Sequence, residues 1–400
     1  MSIALESLNH KVQRTAVGTM VDVALAHVSK DRQKAFAEMV DVAKQFYGDS
    51  FSEETYEHAR AVLTDADSKW SKLINCVLDQ TAPSVARTTA LNLGYEAFFR
   101  GTKTIRENRT KYHCNIPWLI LFDPTSACNM HCVGCWAGEY GHKNNLSFED
   151  MDKIITEGKE LGVYLYMLTG GEPLANLESL QKMLDVIPTT HKVYINTTFP
   201  VQTGFYTAEE MLDFTRRNRD KITCMNISRH LVKYVEESPD QVLGQIACPT
   251  RINCVLYKKY PADKLPQYVE RFLPYGIPIQ FRYDYTETTP ENLYDQDHDP
   301  ILQDLKRLFT YRGLDGCRMR NGFHFEYKGL HMTYHKTLPY STIVEKGDDG
   351  VTYDILYDIL IKQNGEIHSD WTGVKMDVEK YRRVTFEPYD LRVLDGTVDF

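Results

Sequence analysis

The spacing of apolar residues in this chain changes twice, and each change marks a different kind of structure. Up to residue 112 the apolar side chains recur at intervals of three and four residues, the period of an amphipathic helix. Examples are Val17, Met20, Val21, Ala24, Leu25 and Val28. Further helices are predicted over 32–46, 52–63 and 68–79, and another begins at Pro83, because proline suits a first helical turn. We therefore predict a helical N-terminal domain over 1–112.

From residue 113 short apolar runs alternate with helical segments. The run Trp118-Leu119-Ile120-Leu121-Phe122 is continuous, as expected for a strand buried on both faces of a parallel sheet. Five further strands are predicted at 163–168, 193–197, 222–227, 250–257 and 279–285. Intervening helices are predicted at 147–161, 177–186, 208–217, 231–236 and 262–273. Parallel strands need crossover connections of this length, so the fold class predicted for 113–286 is α/β, a partial (β/α)₆ TIM-like barrel.

The character changes again after residue 286. An acidic, proline-interrupted linker over 287–299 precedes a helix predicted at 301–309. Two hairpins follow, one turning at Lys328-Gly329 and one at Asn364-Gly365, and Asn-Gly is a strong short hairpin signal. The prediction for 287–400 is a linker, a helix and a small α+β C-terminal extension.

Composition narrows the class of protein. Apolar residues make up 42% and charged residues 25%, as in ordinary globular proteins. The net charge of −9, without a basic stripe, argues against a nucleic-acid partner. No apolar run is long enough to suggest a membrane span, and the first 20 residues lack the apolar core of a signal peptide. Nine cysteines without such a signal predict a cytoplasmic protein whose thiols are available for metal.

Cys128, Cys132 and Cys135 form the most informative pattern, with the spacing C-x₃-C-x₂-C. Three thiolates can ligate three irons of a four-iron cluster and leave the fourth iron open to a small molecule. The competing interpretation is a structural zinc site completed by His131 or His142. Structural zinc usually uses two separated cysteine pairs, and no second pair exists here. The triplet also follows a predicted strand, where barrel ligand sites lie, so the cluster is favoured.

The triplet, together with Gly170-Gly171-Glu172-Pro173 after the second predicted strand, resembles the motifs of radical S-adenosylmethionine (SAM) enzymes. The resemblance covers residues 117–285 and departs from the family at Gly134, where many members carry an aromatic residue. It implies a [4Fe–4S] cluster whose open iron is chelated by SAM. Reductive cleavage of SAM then yields a 5′-deoxyadenosyl radical that takes a hydrogen atom from an organic substrate. An electron donor such as flavodoxin or ferredoxin is implied as well.

The resemblance also assigns SAM contacts. Gly170 and Gly171 let the backbone approach the methionine end of SAM, and Glu172 either accepts from its ammonium or braces the loop. Ser228 fits a position that contacts the SAM carboxylate or ribose. The remaining candidates are Arg229, for the carboxylate or for a surface salt bridge, Arg251 and Asn253, on one face of the fifth strand, and Thr197, for the ribose. No catalytic residue is singled out.

The substrate stays open between classes. Around Asn364-Gly365 the tail looks like a cysteine-poor form of the extension found in peptide-modifying relatives, with Ser369 and Asp370 where cysteines would stand. The all-helical 1–112 lacks the strands of a peptide-leader-binding module, which favours a small-molecule or lipid-like substrate. This helical domain either closes the barrel mouth or forms a homodimer contact. A peptide-modifying enzyme, and a non-catalytic iron–sulfur or zinc protein, are the alternatives. His324, His331, His335 and Cys317 are expected to pack rather than bind metal.

Overall fold

The fold is taken from a computed structural model, which describes most of the chain in separate ranges. These are 8–28, 31–48, 53–80, 83–112, 116–130, 144–187, 192–202, 204–231, 238–257, 259–317, 320–338, 342–346, 352–356 and 358–368. Within them, no helix has the length and apolar character that crossing a membrane requires.

Helices fill the described part of the first 112 residues. They are α1 Leu8–Val28, α2 Arg32–Tyr47, α3 Glu53–Thr64, α4 Lys69–Gln80, α5 Pro83–Thr89 and α6 Thr102–Tyr112. The boundaries of α2, α3 and α4 lie within one residue of those predicted. Asp31 caps α2 by accepting from the Lys34 backbone N–H, which satisfies one of the open amides of the first turn. The helix predicted to continue from Pro83 instead becomes a π-helix over Ala90–Gly101 between α5 and α6.

A fully buried carboxylate joins this π-helix to α1. Glu96 lies 2.8 Å from His10 Nε2, 2.7 Å from Arg14 Nη1 and 3.1 Å from Arg100 Nη1. Burial by itself raises the pKa of Glu96, but the hydrogen bonds and charges of His10 and Arg14 outweigh it, and the pKa is lowered. The charge is therefore retained inside the helical layer because cations surround it.

A parallel sheet forms the centre of the molecule, as predicted. Its strands are β1 Leu119–Phe122, β2 Leu165–Leu168, β3 Lys192–Thr197, β4 Ile222–Ser228, β5 Thr250–Leu256 and β6 Ile279–Tyr283. The connecting helices are α7 Phe148–Leu161, α8 Leu177–Val186, α9 Ala208–Arg217, α10 Asp240–Leu243 and α11 Leu265–Glu270. Ser147 caps α7 by accepting from the Asp150 N–H, as the sequence predicts. The pattern is that of a mixed α/β, TIM-like partial barrel.

Two predicted elements differ from the structure. The helix predicted at 262–273 is broken into a 3₁₀ turn at Ala262–Lys264, the short α11 and a second 3₁₀ turn at Leu273–Tyr275. Pro266 and Pro274 each lack a backbone N–H, which limits a continuous helix. The strand predicted to Tyr285 ends at Tyr283, because Asp284 caps a 3₁₀ turn that follows it. The helix predicted at 231–236 lies almost wholly outside the described residues.

Strands of the C-terminal segment extend this sheet at both edges. After α12 Pro300–Leu308 come β7 Thr310–Cys317, β8 Arg320–Tyr327 and β9 Leu330–Thr337, and then β10 Thr342–Lys346, β11 Thr352–Leu356, β12 Asp358–Ile361 and β13 Ile367–His368. β9 pairs parallel to β6, and β12 pairs parallel to β1. The result is an 11-stranded sheet in the order β13-β12-β1-β2-β3-β4-β5-β6-β9-β8-β7. Both predicted hairpins form, and both belong to the same sheet as the barrel strands.

Strand alternation separates two faces of this sheet. The outer face packs against the helices through side chains such as Ile252, Cys254 and Phe281, all fully buried in the main core. The inner face carries the residues between them, which are mostly polar on β3 to β9. Candidate chemistry is therefore confined to the inner face and to the loops at the carboxyl ends of the strands.

Candidate functional site

The loop after β2 and the segment after β1 are joined by backbone hydrogen bonds. The Gly171 N–H donates to the Thr125 carbonyl at 3.0 Å, and the Glu172 N–H donates to the Ala127 carbonyl at 2.7 Å. Ala127 directly precedes Cys128, and Thr125 lies three residues before it. The two motifs recognised separately in the sequence therefore form one backbone unit at the carboxyl ends of neighbouring strands.

Both glycines are required by this contact. Gly170 has φ of +96°, and a Cβ there would lie 2.7 Å from the Asp123 Cβ. At Gly171 a Cβ would lie 2.2 Å from the Ala127 carbonyl oxygen. A left-handed backbone and such close approach are conditions that glycine alone meets without strain. The predicted reason for the glycines was access for a ligand, and the structure adds their packing against the cysteine segment.

Of the three predicted cluster ligands, Cys128 is described and is partly exposed. The Met130 backbone N–H lies 3.4 Å from its Sγ. Cys132 and Cys135 lie outside the described residues, as do His131, Gly134, Trp136 and His142. Within the described ranges, no three side chains of the kinds that bind metal come together. The ligand set Cys128, Cys132 and Cys135 thus remains a prediction.

Glu172 is buried and its carboxylate accepts from protein donors. The Leu174 N–H donates to Oε1 at 3.0 Å, and the Thr198 N–H and Oγ1 donate to Oε2 at 2.7 and 2.8 Å. The Thr197 hydroxyl also donates to Oε1 and accepts from the Phe199 N–H. Burial raises the pKa of Glu172, and these hydrogen bonds oppose the shift. Of the two predicted roles, this arrangement favours bracing the loop, and it engages the Thr197 hydroxyl proposed for the ribose.

Arg229 also makes its hydrogen bonds to the protein. Its guanidinium donates to the carbonyl oxygens of Thr198 at 2.9 Å, Ser228 at 2.8 Å and Ser238 at 3.2 Å. The side chain is only 1% exposed, so the alternative of a surface salt bridge is wrong. These contacts favour Arg229 as a brace that holds the ends of β3 and β4 together, rather than as a partner for a SAM carboxylate.

A chain of polar side chains crosses the inner face of β3, β4 and β5. Arg251 Nη2 donates to Asn226 Oδ1 at 2.8 Å, and Asn226 Nδ2 donates to Asn196 Oδ1 at 2.7 Å. Two residues further along, Asn253 pairs in register with Ser228. Strand alternation predicts this shared face for Arg251 and Asn253. The Asn253 Oδ1 is buried and has no donor in the described part of the chain.

Asp123 is a candidate that the sequence interpretation missed. It follows β1 directly and is fully buried, and neither carboxylate oxygen has a hydrogen-bond partner among the described residues. Burial raises the pKa of Asp123 well above its ordinary value, while the positive charge of Lys362 opposes this. An acidic residue between a buried strand and a cysteine motif was the available signal, since few carboxylates are buried without a role.

These residues fit the cofactors that the sequence implies. The methionine end of SAM carries an ammonium and its ribose carries hydroxyls, all of which donate hydrogen bonds. The buried oxygens of Asp123 and Asn253 are acceptors that lack a described donor; Asp123 follows the carboxyl end of β1, and Asn253 lies in the middle of β5, in register with Ser228 at the end of β4. The glycine loop and the partly exposed Cys128 complete a set suited to a sulfur-ligated cluster with a bound small molecule.

Comparison with known proteins independently supports the family that the two motifs resemble. Residues 122–227 match the model of the radical SAM superfamily. The chain is 26% identical over 186 residues to a GTP 3′,8-cyclase of Syntrophomonas wolfei subsp. wolfei, covering 43% of this chain and 56% of the relative. It is 24% identical over 213 residues to a GTP 3′,8-cyclase of Petrotoga mobilis, covering 50% and 64%. The chain therefore spans little more than half the length of these curated relatives.

Among solved structures, the chain is similar to Streptococcus suis SuiB bound to S-adenosylmethionine. The TM-score is 0.47 with 13% sequence identity, and the alignment covers 87% of this chain and 78% of that chain. SuiB bound to the precursor peptide SuiA aligns with a TM-score of 0.44, again at 13% identity, over 87% of this chain and 79% of that chain.

Proposed function

Since this chain belongs to the radical SAM superfamily, we propose that it takes a hydrogen atom from a small-molecule or lipid-like substrate. It is an enzyme whose cofactors are a [4Fe–4S] cluster and SAM. When bound, this pair supplies a 5′-deoxyadenosyl radical, and the protein supplies binding and orientation. Cys128, Cys132 and Cys135 would hold the cluster, because three thiolates leave one iron open.

The observation that carries this proposal is the joining of the two motifs. Gly171 and Glu172 donate backbone hydrogen bonds to the residues that precede Cys128, so the loop that seats SAM and the segment that holds the cluster have one geometry. Glu172 fixes the same loop to the end of β3. A rigid seat matters because the outcome of a radical reaction depends on which C–H bond lies within reach.

Asp123 and Asn253 are the side chains we assign to orientation of SAM. Both present buried oxygens without a described donor, one beyond β1 and one on β5. Separate donor groups of SAM, its ammonium and its ribose hydroxyls, would satisfy these acceptors, which otherwise remain unpaired at a cost of about 1–3 kcal/mol each. Ser228, beside Asn253 in register, and Arg251 on the same strand remain candidates for the ribose and carboxylate.

The preference for a small or lipid-like substrate rests on the helical segment and on the tail. The described residues within 8–112 form helices only, which does not suit a strand-containing peptide-binding module. The hairpin of β12 and β13 carries no cysteine over 358–368. A peptide-modifying activity is the second candidate, and it is weakened by both observations. The division into a helical domain 1–112, a core 113–286 and an extension 287–400 is part of this proposal.

A radical SAM enzyme needs a reductant as well as a substrate. We propose a flavodoxin or ferredoxin as the electron donor and the cytoplasm as the compartment. No role for nucleic acid is proposed, given the net charge of −9. The helical domain either closes the barrel mouth or joins two copies of the chain, and sedimentation of the reconstituted protein separates these arrangements.

Anaerobic reconstitution tests the proposal. The chain with iron, sulfide, a reductant and SAM should show the visible absorption of a four-iron cluster and should form 5′-deoxyadenosine. Cys132→Ala should lose both signals. Cys248→Ala is the matched control, because Cys248 is buried in the main core, away from the motif, and should keep both. A colourless protein that binds zinc, or a cluster that survives Cys132→Ala, would contradict the assignment.

The substrate class needs its own experiment. Extracts of cells grown in deuterated medium can be separated into metabolite, lipid and peptide fractions and added to the reconstituted enzyme. Hydrogen abstraction from the true substrate transfers deuterium to 5′-deoxyadenosine, which mass spectrometry detects. We expect the label with the metabolite or lipid fraction. A label found with the peptide fraction alone would replace our first candidate by the second.

A further inference from the structure

The inner face of β6, β8 and β9 carries a group of cationic and imidazole side chains. Arg282 on β6 pairs in register with His335 on β9, and His335 pairs in turn with Gly322 on β8. Arg320 on β8 stands two residues from Gly322, opposite Thr337. A Cβ on Gly322 would lie 2.9 Å from His335 Cε1, so the imidazole ring covers this glycine. We call Arg282, Arg320 and His335 the arginine pocket.

The positive charges of this pocket have no acidic partner in the described part of the chain. No hydrogen bond or ion pair joins the guanidinium group of Arg282 or that of Arg320 to a described residue. Neighbouring cations are paired: Lys336 on β9 lies 3.0 Å from Asp299, and Arg312 on the adjacent β7 lies 2.8 Å from Glu326. Arg282 is half-buried, and a half-buried arginine without a counter-charge is unusual because desolvation of its charge is then not compensated, whereas Arg320 is exposed at the start of β8.

Electrostatics show that the charges act on one another. Burial, followed by the positive charges of Arg251 and Arg320, lowers the pKa of Arg282 to about 10. Burial and these same arginines lower the pKa of His335 well below its ordinary value, so its imidazole is neutral at pH 7. The pocket therefore holds excess positive charge together with a neutral hydrogen-bonding ring.

Asp315 is the acidic residue of this face beside the pocket: it pairs in register with Gly322, and a Cβ on Gly322 would lie 2.5 Å from its Oδ1. Asp315 Oδ2 lies 3.4 Å from His324 Nε2, and His324 Nδ1 lies 3.1 Å from His331 Nε2. Burial and the neighbouring His324 lower the pKa of His331 to about 4. One carboxylate beside three arginines, including Arg251, does not balance the charge. Within the described residues the positive charge is therefore in excess, and an anion from outside the chain would balance it.

We propose that the substrate carries an anionic group, a carboxylate or a phosphate, and that Arg282 and Arg320 bind it on the β6–β8 side of the inner face. This inference rests on the proposed function and names the substrate class for the same interior. Guanidinium groups match the paired oxygens of carboxylate and phosphate, and His335 adds a neutral donor or acceptor. The positions assigned to SAM lie on β1, β2, β4 and β5, so the substrate anion and SAM occupy neighbouring parts of one interior.

The test uses the reconstituted enzyme with SAM and simple anions as probes. Sodium phosphate and sodium succinate are added separately, with sodium chloride at matched ionic strength as the screening control. We expect one of the two probes to raise the thermal unfolding midpoint more than chloride does, because binding to the folded state stabilises it. Phosphate alone would indicate a phosphorylated substrate, and succinate alone a carboxylate. Equal effects of all three salts would overturn the proposal.

Variants locate the effect. Arg282→Gln and Arg320→Gln should each weaken binding of the effective anion by about ten- to hundredfold in calorimetric titration. Arg312→Gln is the matched control, since Arg312 is a paired, exposed arginine on the adjacent β7, and it should bind the anion like the unchanged chain. Arg282→Lys keeps the charge and should retain part of the affinity. Unchanged anion affinity in Arg282→Gln would overturn the proposal.

A second readout separates binding from folding. Without added anion, Arg282→Gln should raise the unfolding midpoint, because it removes repulsion from Arg251 and Arg320. A lowered midpoint would show that Arg282 is needed for packing and would contradict the unpaired-charge argument. Deoxyadenosine formation by the unchanged chain is measured in parallel. If SAM is cleaved but no anion has an effect, only the proposed anionic substrate class is overturned. If SAM is not cleaved, the proposed function is overturned, and the measurement of anion binding remains valid by itself.

Discussion

Gly171→Ala is the sharpest probe of the contact between the glycine loop and the cysteine segment. The added methyl would lie 2.2 Å from the Ala127 carbonyl oxygen and 2.8 Å from the Ser126 carbonyl carbon. A comfortable carbon–oxygen contact is about 3.3 Å, so one backbone must move by about 1 Å. The obstacle is main chain, which cannot rotate away as a side chain can. The displaced segment leads directly to Cys128.

The expected cost follows from the contacts that this displacement breaks. Hydrogen bonds from Gly171 N to Thr125 O, at 3.0 Å, and from Glu172 N to Ala127 O, at 2.7 Å, hold the two backbones together. Each is worth about 0.5–1.5 kcal/mol, and overpacking adds about 1–3 kcal/mol, so we expect a loss of about 2–6 kcal/mol of unfolding free energy. Urea unfolding measures this loss. Iron content and SAM affinity of the reconstituted variant should fall with it.

Gly94→Ala is the matched control, since a Cβ at Gly94 meets nothing within 4 Å. This change should be neutral or stabilise the chain by up to about 1 kcal/mol, because alanine restricts the unfolded backbone more than glycine does. Wild-type stability and wild-type SAM affinity in Gly171→Ala would refute the reasoning, because the close approach of the two motifs would then not exist.

Three further substitutions test other parts of the structure. The raised pKa of Asp123 means that the folded state binds a proton more tightly than the unfolded state does, so the unchanged apo-protein loses stability as the pH rises above the ordinary carboxyl pKa of 3.8. Asp123→Asn has no carboxyl group to ionise and should therefore become more stable relative to the unchanged apo-protein over this pH range. If the urea midpoints of Asp123→Asn and of the unchanged chain differed by the same amount from pH ~4 to ~8, the result would contradict a buried carboxylate without a partner. Arg229→Met should lower the free energy of unfolding by about 2–4 kcal/mol and change SAM affinity by no more than about threefold, because the Arg229 guanidinium donates to protein carbonyls. A large loss of SAM affinity at unchanged stability would instead support the predicted role of Arg229 as a SAM ligand. Glu96→Gln should lower the free energy of unfolding, measured by thermal unfolding, by about 3–5 kcal/mol, because the fully buried Glu96 is surrounded by His10, Arg14 and Arg100. Glu209 is exposed, so the control Glu209→Gln should change this free energy by less than about 1 kcal/mol. Equal effects of the two glutamate substitutions would contradict this account.

The parts of the fold that local pattern determines were predictable. Apolar runs gave β1 to β6, the periodicity of 32–79 gave α2 to α4, and Ser147 marked the start of α7. The π-helix over Ala90–Gly101 was not predicted; it carries the buried Glu96, whose partners on α1 lie far away in sequence and leave no local signal. The pairing of β12 with β1 was missed for the same reason, since a short strand carries no signal for its distant partner.

The site residues, too, were predictable where their signal is local in sequence and not where it depends on tertiary contacts. The spacing of the cysteines and the Gly-Gly pair are local signals, so they could be read from the sequence. The actual partners of Glu172 and Arg229 depend on the ends of β3 and β4, and only the structure shows that both side chains are engaged by the protein. Asp123 and Arg282 were missed because their importance lies in what they lack, a donor in one case and a counter-charge in the other.

The segment after residue 310 contributes to both ends of this interior, and this has a consequence for specificity. At one edge, the Asp123 N–H donates to the Ile361 carbonyl of β12 at 2.9 Å, and Lys362 supplies the charge that opposes the shifted pKa of Asp123. At the other edge, β8 and β9 supply Arg320 and His335 beside Arg282. The cysteine and glycine motifs belong to the core strands alone. The residues that we propose for the cofactors thus lie mainly on or beside β1 to β5, while two of the three that we propose for the substrate anion lie on β8 and β9. We therefore expect a change of substrate within this architecture to require changes in β8 and β9 and to leave the motifs intact.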